Sequence, residues 1–275
     1  MQRIDSHQHF WKLARGDYDW ITPDMSALYR DFGPVDLKPH LDAAGIDDTI
    51  IVQAASSLAE TEFMLSIADE HNWILGVVGW IDMEADDATA TLERLAKNPK
   101  FVGIRSGMQD NPVDDWILLP KLERAFRAII DMDLAFDCLG KSWHVELFRK
   151  FFDVYPDLRC VIDHCFKPKI AEQIFQPWQD QMADIASNTN VLCKLSGLTT
   201  EAAADWKTND ITPYAEHVLK CFGPERIMFG SDWPVVNIAS DYAGWVSLMN
   251  GWIEKYSEAE KAAIMGGNAA KFYLR

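Results

Sequence analysis

The sequence predicts a single closed (β/α)8 barrel, in which eight parallel strands alternate with helices. Its length of 275 residues suits one α/β barrel of about 250 residues. Eight short apolar runs alternate with stretches in which apolar residues recur at three- and four-residue intervals, a pattern typical of strands connected by helices. No glycine-rich dinucleotide-binding motif follows the first run, and this disfavours the alternative of an open doubly wound sheet.

The candidate strands, in order, are residues 2–9, 49–54, 74–81, 101–105, 134–138, 159–164, 191–195 and 227–230. Helical periodicity covers residues 60–71, 85–97, 119–132, 143–155 and 213–222. Since most strands are followed by a helical stretch, the strands are expected to run parallel. Residues 257–275 are expected to form a closing helix, with Ser257 and Glu260 spaced as a capping box.

The connection after the first strand is unusually long. Residues 10–36 mix aromatic residues, aspartates and prolines without a clear period, and a loop of this length in a compact domain is more often functional than idle. In a barrel this loop would leave the rim at which active sites lie. No linker or change of composition divides the chain, so we expect one domain over residues 1–275.

Charge and composition exclude several classes of function. The 26 basic residues are outnumbered by 42 acidic ones, giving a formal net charge of −16, which argues against nucleic acid and anionic membranes as partners. No apolar run is long enough to span a bilayer, and no signal peptide is visible. The 5 cysteines are odd in number and form no CxxC pair, which favours a reducing compartment, so we expect a cytoplasmic protein.

Two histidines end the first candidate strand. His7 and His9 are separated by one residue, so on a strand both side chains point to the same side. Two neighbouring imidazoles favour a divalent metal ion, because each would otherwise need its own hydrogen-bond partner. The alternative is a pair of histidines that merely holds a loop.

Two further strand ends strengthen the metal interpretation. His164 ends the sixth candidate strand and Asp232 follows the eighth, and polar residues at these ends converge on one rim of a barrel. With His7 and His9 they would supply three nitrogens and one carboxylate, a suitable set for zinc or manganese with room for a water molecule. Asp163 and His164 are neighbours and should point in opposite directions, so we expect His164 to face the interior and Asp163 to orient a neighbouring group or to bond outward.

Other residues at strand ends and in the long loop are candidates for binding substrate. Arg105 ends the fourth strand, where a guanidinium can bind carboxylate or carbonyl oxygens, and Lys194 offers a second cation facing either the rim or the outer helices. His40 is expected to open the helix after the long loop or to contact substrate from the rim. Trp11 and Trp233 flank strand ends and could cover a sugar ring or pack the barrel. For both cations the alternative is a salt bridge.

Several strings resemble those of a known family. IDSHQHFW, VIDHCFKP, CKLSG, FGSDWPV and GGNAAKFY are similar to motifs of the amidohydrolase superfamily, and within it to the branch of lactone hydrolases that includes the L-fuconolactonases. The resemblance implies a (β/α)8 barrel that binds one divalent metal ion, zinc first, through His7, His9, His164 and Asp232. It also implies that Asp232 activates the attacking water. Since some relatives in this branch hydrolyse lactones without metal, the alternative is that the ion is dispensable.

The sequence departs from the superfamily in one respect. Many members bridge two metal ions with a carboxylated lysine or a glutamate at the end of the fourth strand, where this chain has Arg105. The fifth strand ends in Asp137 and Cys138 instead of histidine. A binuclear site is therefore not expected, although Cys138 could serve as a soft zinc ligand.

The predicted function is hydrolysis of a sugar-acid lactone to the aldonate. Asp232 would take a proton from water and return it to the departing alkoxide. His7, His9 and His164, through a metal or as donors, would polarise the carbonyl with Arg105 nearby. The alternatives are a metal-dependent decarboxylase of an aromatic or dienoic acid and, less favoured, a non-catalytic carbohydrate-binding barrel. The negative charge suits a neutral lactone as substrate, and a homo-oligomer is left open.

Overall fold

The computed structural model describes residues 2–109 and 111–274, and its centre is one sheet of eight parallel strands in the order β1 to β8. The strands are β1 (Ile4–Gln8), β2 (Asp48–Val52), β3 (Ile74–Gly79), β4 (Phe101–Arg105), β5 (Ala135–Cys138), β6 (Cys160–Ile162), β7 (Leu192–Leu195) and β8 (Ile227–Phe229). Each strand pairs in parallel with the next. The predicted barrel is thus confirmed: seven of the eight predicted strands contain an observed strand, and the predicted strand 49–54 overlaps β2, which begins one residue earlier at Asp48.

Backbone bonds join the last strand to the first. The Asp232 amide donates to the His7 carbonyl at 2.8 Å, and the His9 amide donates to the Trp233 carbonyl at 2.8 Å. Gln8 and Trp233 form an isolated parallel bridge. These contacts close the barrel at the segments that carry three of the four predicted metal ligands.

The helices follow the strands around the outside. They are α1 (Pro34–Ala44), α2 (Leu58–Glu70), α3 (Ala88–Leu95), α4 (Glu123–Asp131), α5 (Val145–Val154), α6 (Trp178–Asn188), α7 (Thr208–Phe222), α8 (Tyr242–Ile253), α9 (Glu258–Ala262) and α10 (Asn268–Tyr273). All five periodic stretches overlap a helix, with α2 and α7 beginning before the predicted residues 60 and 213. Periodicity did not assign α6 or α8. Within the described residues, every helix is too short or too polar to cross a bilayer.

One prediction about a helix end is wrong, and the predicted closing helix is present but kinked. His40 lies inside α1 and does not open it, because the helix begins at Pro34, where the Asp36 carboxylate accepts the Gly33 amide at 2.9 Å. The predicted closing helix bends between α9 and α10 at Gly266. Only glycine fits at this position, because a Cβ atom there would lie 2.5 Å from the Gln2 carbonyl oxygen. Its last predicted residue, Arg275, lies outside the described residues. The predicted capping box at the start of α9 is present.

The interior of the barrel is apolar at the amino ends of its strands. One buried cluster contains a side chain from nearly every strand, and α10 covers it with Phe272 and Tyr273; the strand residues are Ile4, Ile50, Val52, Val78, Val102, Ala135, Val161 and Met228. A second, larger cluster fills the space outside the sheet, between strands and helices. The apolar side chains therefore fix the strands at one end and leave the carboxyl ends to polar residues.

Candidate active site

Three histidines surround one carboxylate at the carboxyl ends of the strands. The Oδ1 atom of Asp232 lies 3.3 Å from Nε2 of His9 and 3.8 Å from Nε2 of both His7 and His164. The His7 ring centre is 5.0 Å from that of His9 and 4.4 Å from that of His164. All four side chains are almost completely buried. The structure brings together the four residues that the sequence predicts as metal ligands.

The local backbone makes this convergence possible. The pairing of β1 shifts between Asp5 and Gln8. Ile4 and His7 therefore both face the barrel interior, although they are three positions apart and a regular strand would point them to opposite sides. Gly230 gives His7 room, because a Cβ atom at this position would lie 2.8 Å from the His7 Cβ. His9, just beyond β1, donates a hydrogen bond from Nδ1 to the Val52 carbonyl, 2.7 Å away.

His164 depends on a glycine in the neighbouring strand end. Gly197 has a φ of +65°, and a Cβ atom there would lie 2.6 Å from His164 Nδ1, so only glycine fits both the backbone and the space. His164 itself has a φ of 50°, and its Nδ1 is 2.8 Å from the Ser196 hydroxyl. Ser196 and Gly197, which follow β7, therefore fix the position of the His164 ring, which follows β6.

The expectation that Asp163 and His164 point in opposite directions is wrong. β6 ends at Ile162, and the chain then turns with positive φ at His164 and Cys165, so the alternation of a strand does not extend to these residues. Asp163 also faces inward, with Oδ1 3.3 Å from His7 Nδ1 and Oδ2 3.2 Å from Arg105 Nη1. The sequence did not identify Asp163 as a residue of the site.

Burial controls the charge of these groups. It lowers the pKa of His7 and His9 and lowers that of His164 to about 4, so all three imidazoles are neutral at pH 7. Burial alone would raise the pKa of Asp232, but the nearby His164 and His9 outweigh it and hold that pKa below its usual value. The centre therefore consists of one carboxylate and three neutral rings.

This set of donors fits a divalent cation. The Val52 carbonyl can only accept, so its partner, Nδ1 of neutral His9, carries the ring proton and Nε2 presents a lone pair. That lone pair faces the ionised Asp232 at 3.3 Å, and two acceptors at this distance favour a cation between them. Potential ligand atoms of His7, His9 and Asp232 all lie within 4.8 Å of one another, and a second such group joins His7, Asp163 and His164. Cys138 is in neither group.

A layer of paired charges lies beneath the histidines. Lys194 is fully buried in the barrel, where Nζ pairs with Asp137 and lies 3.1 Å from Asp163 Oδ1. The Tyr273 hydroxyl of α10 donates to Asp137 at 2.8 Å. Lys194 does not line the cavity at the rim and does not face the outer helices; it forms the buried salt bridges that were the alternative prediction for this residue.

A cavity of about 590 Å³ opens above Asp232. Arg105, His9 and His164 reach it, together with polar residues and one aromatic ring from the surrounding loops; its other lining residues include Asp17, Asp19, Trp20, Gln53, Gln109, Asn111 and Lys167. Arg105 is held by the Gln53 carbonyl and Asp163. The cavity combines one fixed cation, the carboxylate centre and several amides, which is a surface suited to a small polar molecule.

Three predicted substrate-binding residues lie away from this cavity. Trp11 is buried in the long loop, and its indole donates to the Arg30 carbonyl at 2.8 Å. Trp233 is buried against the rings of Phe10 and Phe32. His40 is exposed and stacks on the Tyr242 ring. Each ring packs against other residues instead, and none of the three side chains lines the cavity.

Two residues near the cavity were not among the predicted site residues: Trp20 in the long loop, which was considered a weaker candidate than Trp233, and Glu60 in the first turn of α2. Trp20 of the long loop is 41% exposed over the cavity, and its indole donates to the Ala54 carbonyl at 2.8 Å. Glu60 is buried beneath this loop and accepts the amides of Ala54 and Ala55, each at 3.0 Å. Burial raises the pKa of Glu60 to about 7. The position of Trp20 in the long loop was the signal available, whereas nothing in the sequence singled out Glu60.

Comparisons with known proteins agree with this architecture. The amidohydrolase family model matches residues 4–275. The chain is 41% identical to an L-fucono-1,5-lactonase from Burkholderia ambifaria, over 98% of this chain and 95% of the relative. It is 35% identical to an L-fucono-1,5-lactonase from Burkholderia multivorans, with the same coverage of 98% and 95%. A solved amidohydrolase from Burkholderia multivorans with bound zinc is 35% identical over 99% of both chains, with a TM-score of 0.92. The chain belongs to the amidohydrolase family.

Proposed function

We propose that this protein hydrolyses a sugar-acid lactone, of the type of L-fucono-1,5-lactone, to the open aldonate. The observation that carries the proposal is an ionised Asp232 among three neutral imidazoles at the floor of a cavity of about 590 Å³. This arrangement suits proton transfer beside a carbonyl group. The two relatives named L-fucono-1,5-lactonase support the substrate class.

Asp232 is the proposed general base and acid. Because its carboxylate is ionised, it can accept a proton from a water molecule as the oxygen of that water attacks the lactone carbonyl carbon. The carbon–oxygen bond of the ring then breaks, and Asp232 returns the proton to the departing ring oxygen.

Arg105 is the proposed electrostatic partner of the substrate. Its guanidinium lines the cavity and is held by Asp163 and the Gln53 carbonyl, so it needs little reorganisation when negative charge develops on the carbonyl oxygen. Trp20 is placed to cover a sugar ring and limit access of water. The amides of Gln53 and Asn111 line the same cavity and suit the hydroxyl groups of a neutral sugar.

His7, His9, His164 and Asp232 are the residues that would hold a divalent ion. When bound, such an ion, with zinc as our first choice, supplies a Lewis acid for the carbonyl oxygen and lowers the pKa of water. The neutral state of the histidines and the charge of Asp232 suit ligation. Elemental analysis of the purified protein, with activity measured before and after chelation, tests whether the ion is present and whether hydrolysis requires it.

The test of the function is a panel of sugar-acid lactones followed with a pH indicator, because ring opening releases a proton. We expect wild-type turnover of at least one member, and a loss of at least about hundredfold in Asp232→Asn. Asp205→Asn, which removes the same charge at an exposed position, is the matched control and should keep full activity. Wild-type activity retained by Asp232→Asn would contradict the assigned base, and release of carbon dioxide from aromatic acids would favour the decarboxylase instead.

We also propose that residues 1–275 act as one domain in the cytoplasm. All five cysteines are unpaired, which suits a reducing compartment. Fractionation of cells that express the native gene tests the compartment, and light scattering of the purified protein tests whether it forms a homo-oligomer.

A further inference from the structure

The cavity wall beside His164 is a left-handed turn of four residues. His164, Cys165, Phe166 and Lys167 have φ values of 50°, 53°, 56° and 46°, a conformation that is unfavourable for residues other than glycine. The Lys167 amide donates to the His164 carbonyl at 2.8 Å, so the turn closes after three residues. Backbone of this kind persists only where the surrounding structure fixes it, and it is concentrated at functional sites.

The neighbouring helices hold this turn at its middle. Cys165 and Phe166 are fully buried. The Phe166 ring packs on an aromatic ring of α5, with ring centres 4.7 Å apart, and the Trp178 indole of α6 donates to the Cys165 carbonyl at 2.8 Å. In a turn of three residues the first and fourth side chains lie on the same side. His164 and Lys167 therefore both line the cavity.

The ammonium group of Lys167 has no close partner of its own. Its Nζ lies 3.9 Å from Oε1 of Glu201, which is longer than a hydrogen bond of about 3 Å, and no other carboxylate of the described residues is paired with it. Arg105, the other cation that lines the cavity, is hydrogen-bonded to Asp163 and to the Gln53 carbonyl. The charge of Arg105 is thus balanced within the protein, whereas that of Lys167 remains available to a ligand.

Opening of a lactone creates a group that needs such a cation. The lactone is neutral, but its carbonyl carbon ends as the carboxylate of the aldonate, beside the ionised Asp232. Asp17 and Asp19 also line the cavity, so the new anion meets three carboxylates there. A charged donor on the wall offsets this repulsion, because a hydrogen bond to an ionised partner is roughly twice as strong as a neutral one.

We propose that Lys167 binds the carboxylate of the open aldonate, a role separate from those of the residues assigned to hydrolysis. The inference rests on the proposed function for the identity of this ligand. It makes Lys167 a determinant of affinity for the product and not for the substrate, since a neutral lactone offers no opposite charge to the ammonium group.

The test compares two ligands that differ at one carbon. L-fuconate and the alditol L-fucitol have the same hydroxyl groups on their other carbons, but the alditol has a neutral hydroxymethyl group in place of the carboxylate. Isothermal titration calorimetry measures both affinities in the wild type and in Lys167→Met, with the metal content of each preparation determined alongside. Lys169→Met removes the same charge from an exposed side chain paired with Glu172, and it is the matched control.

We expect the wild type and Lys169→Met to prefer L-fuconate. Lys167→Met should lose at least about tenfold of this preference, the size of effect typical of a hydrogen bond between charged groups, while its affinity for L-fucitol and its KM for the lactone stay close to the wild-type values. The double variant Lys167→Met with Glu201→Gln removes both charges of the loose pair and should lose the same preference. Thermal unfolding shows whether each variant folds.

Equal weakening of both ligands in Lys167→Met would overturn the proposal, because the lysine would then contact a hydroxyl group. An unchanged preference in this variant, or no binding of L-fuconate by the wild type, would overturn it as well. If no lactone is turned over but L-fuconate still binds through Lys167, the proposed function fails and the carboxylate site stands. Turnover of a lactone without a preference that depends on Lys167 would have the opposite meaning.

Discussion

The two ends of the barrel interior contrast sharply. At the amino ends of the strands, aliphatic side chains from nearly every strand pack beneath Phe272 and Tyr273. At the carboxyl ends, three neutral histidines surround an ionised Asp232. Between them lies a layer in which Lys194 and Arg105 are paired with Asp137 and Asp163.

The same eight strands thus serve two purposes: their amino ends stabilise the fold, and their carboxyl ends carry the reactive groups. The amino end contributes buried apolar area and no reactive group, which is the usual source of folding free energy. The carboxyl end buries charged and polar groups, which contributes little to stability unless each is paired. Substitutions at the amino end should therefore change the free energy of unfolding, and substitutions at the carboxyl end should change activity.

The largest expected effect is at the carboxyl end. Arg105→Met removes the cation that lines the cavity, and we expect kcat/KM for the lactone to fall by roughly a hundredfold to a thousandfold, since preorganised donors of this kind contribute that much. Steady-state kinetics measure the change. Arg127→Met, at an exposed position on α4, removes the same charge and should leave kcat/KM unchanged; an equal loss in both variants would contradict the role of Arg105.

At the amino end the expected pattern is reversed. Phe272→Ala leaves a hole beneath the barrel where the ring packs against Tyr273, and we expect the free energy of unfolding to fall by about 3 to 5 kcal/mol. Urea denaturation measures this, with the exposed Trp143→Ala as the control. Folded Phe272→Ala protein should keep its kcat/KM, and a large loss of activity would show that the two ends are coupled.

Glu60 offers a test through pH. Its pKa is raised from 4.5 to about 7 by burial, so the folded state binds a proton that the unfolded state has released, and stability contributed by the protonated group is lost as pH rises from 4.5 towards 7. Arg105 and the Tyr18 hydroxyl act on the Glu60 carboxyl, and Arg15 and Asp17 act in turn on Tyr18.

We expect the wild type to lose up to about 3 kcal/mol over this interval relative to Glu60→Gln. Urea denaturation at pH 5 and pH 8 of both proteins measures the difference. Because Asp5 and Asp137 also have raised pKa values, only the wild-type minus variant comparison isolates Glu60. Parallel pH profiles for the two proteins would contradict the assignment.

The smallest effect is expected at His40. This side chain is exposed and stacks on Tyr242 outside the cavity, so His40→Ala should change kcat/KM by less than about twofold and unfolding by less than about 1 kcal/mol, as is usual at exposed sites. A larger fall in kcat/KM would restore the sequence-based prediction that His40 contacts substrate.

The residues of the candidate site that follow directly from the positions of the strands could be predicted from the sequence. His7, His9, His164 and Asp232 could be placed on one rim because they follow apolar runs whose carboxyl ends meet in a barrel. The structure shows that the three histidines lie within 3.8 Å of Asp232. Their roles in metal binding and catalysis remain predictions. The predicted family and fold are confirmed.

The rest depended on backbone detail that periodicity does not contain. The inward turn of Asp163 arises from positive φ values after β6, and alternation along a strand predicts the opposite. Lys194 was uncertain because only the pairing of β7 with its neighbours shows that its side chain enters the barrel. Trp11 and Trp233 were ambiguous for a different reason, since an aromatic ring in a loop packs or binds according to contacts that are distant in sequence.

The bonds that close the barrel also run through the candidate active site. Asp232 donates its amide to the His7 carbonyl, and His9 donates its amide to the Trp233 carbonyl, so β8 cannot meet β1 without bringing the carboxylate to the histidines. A refolding chain whose last seam is still open therefore has no assembled centre, however much of its helical structure has formed. Recovery of catalysis during refolding would then report on closure of this seam, whereas circular dichroism would report on the helices that form around it.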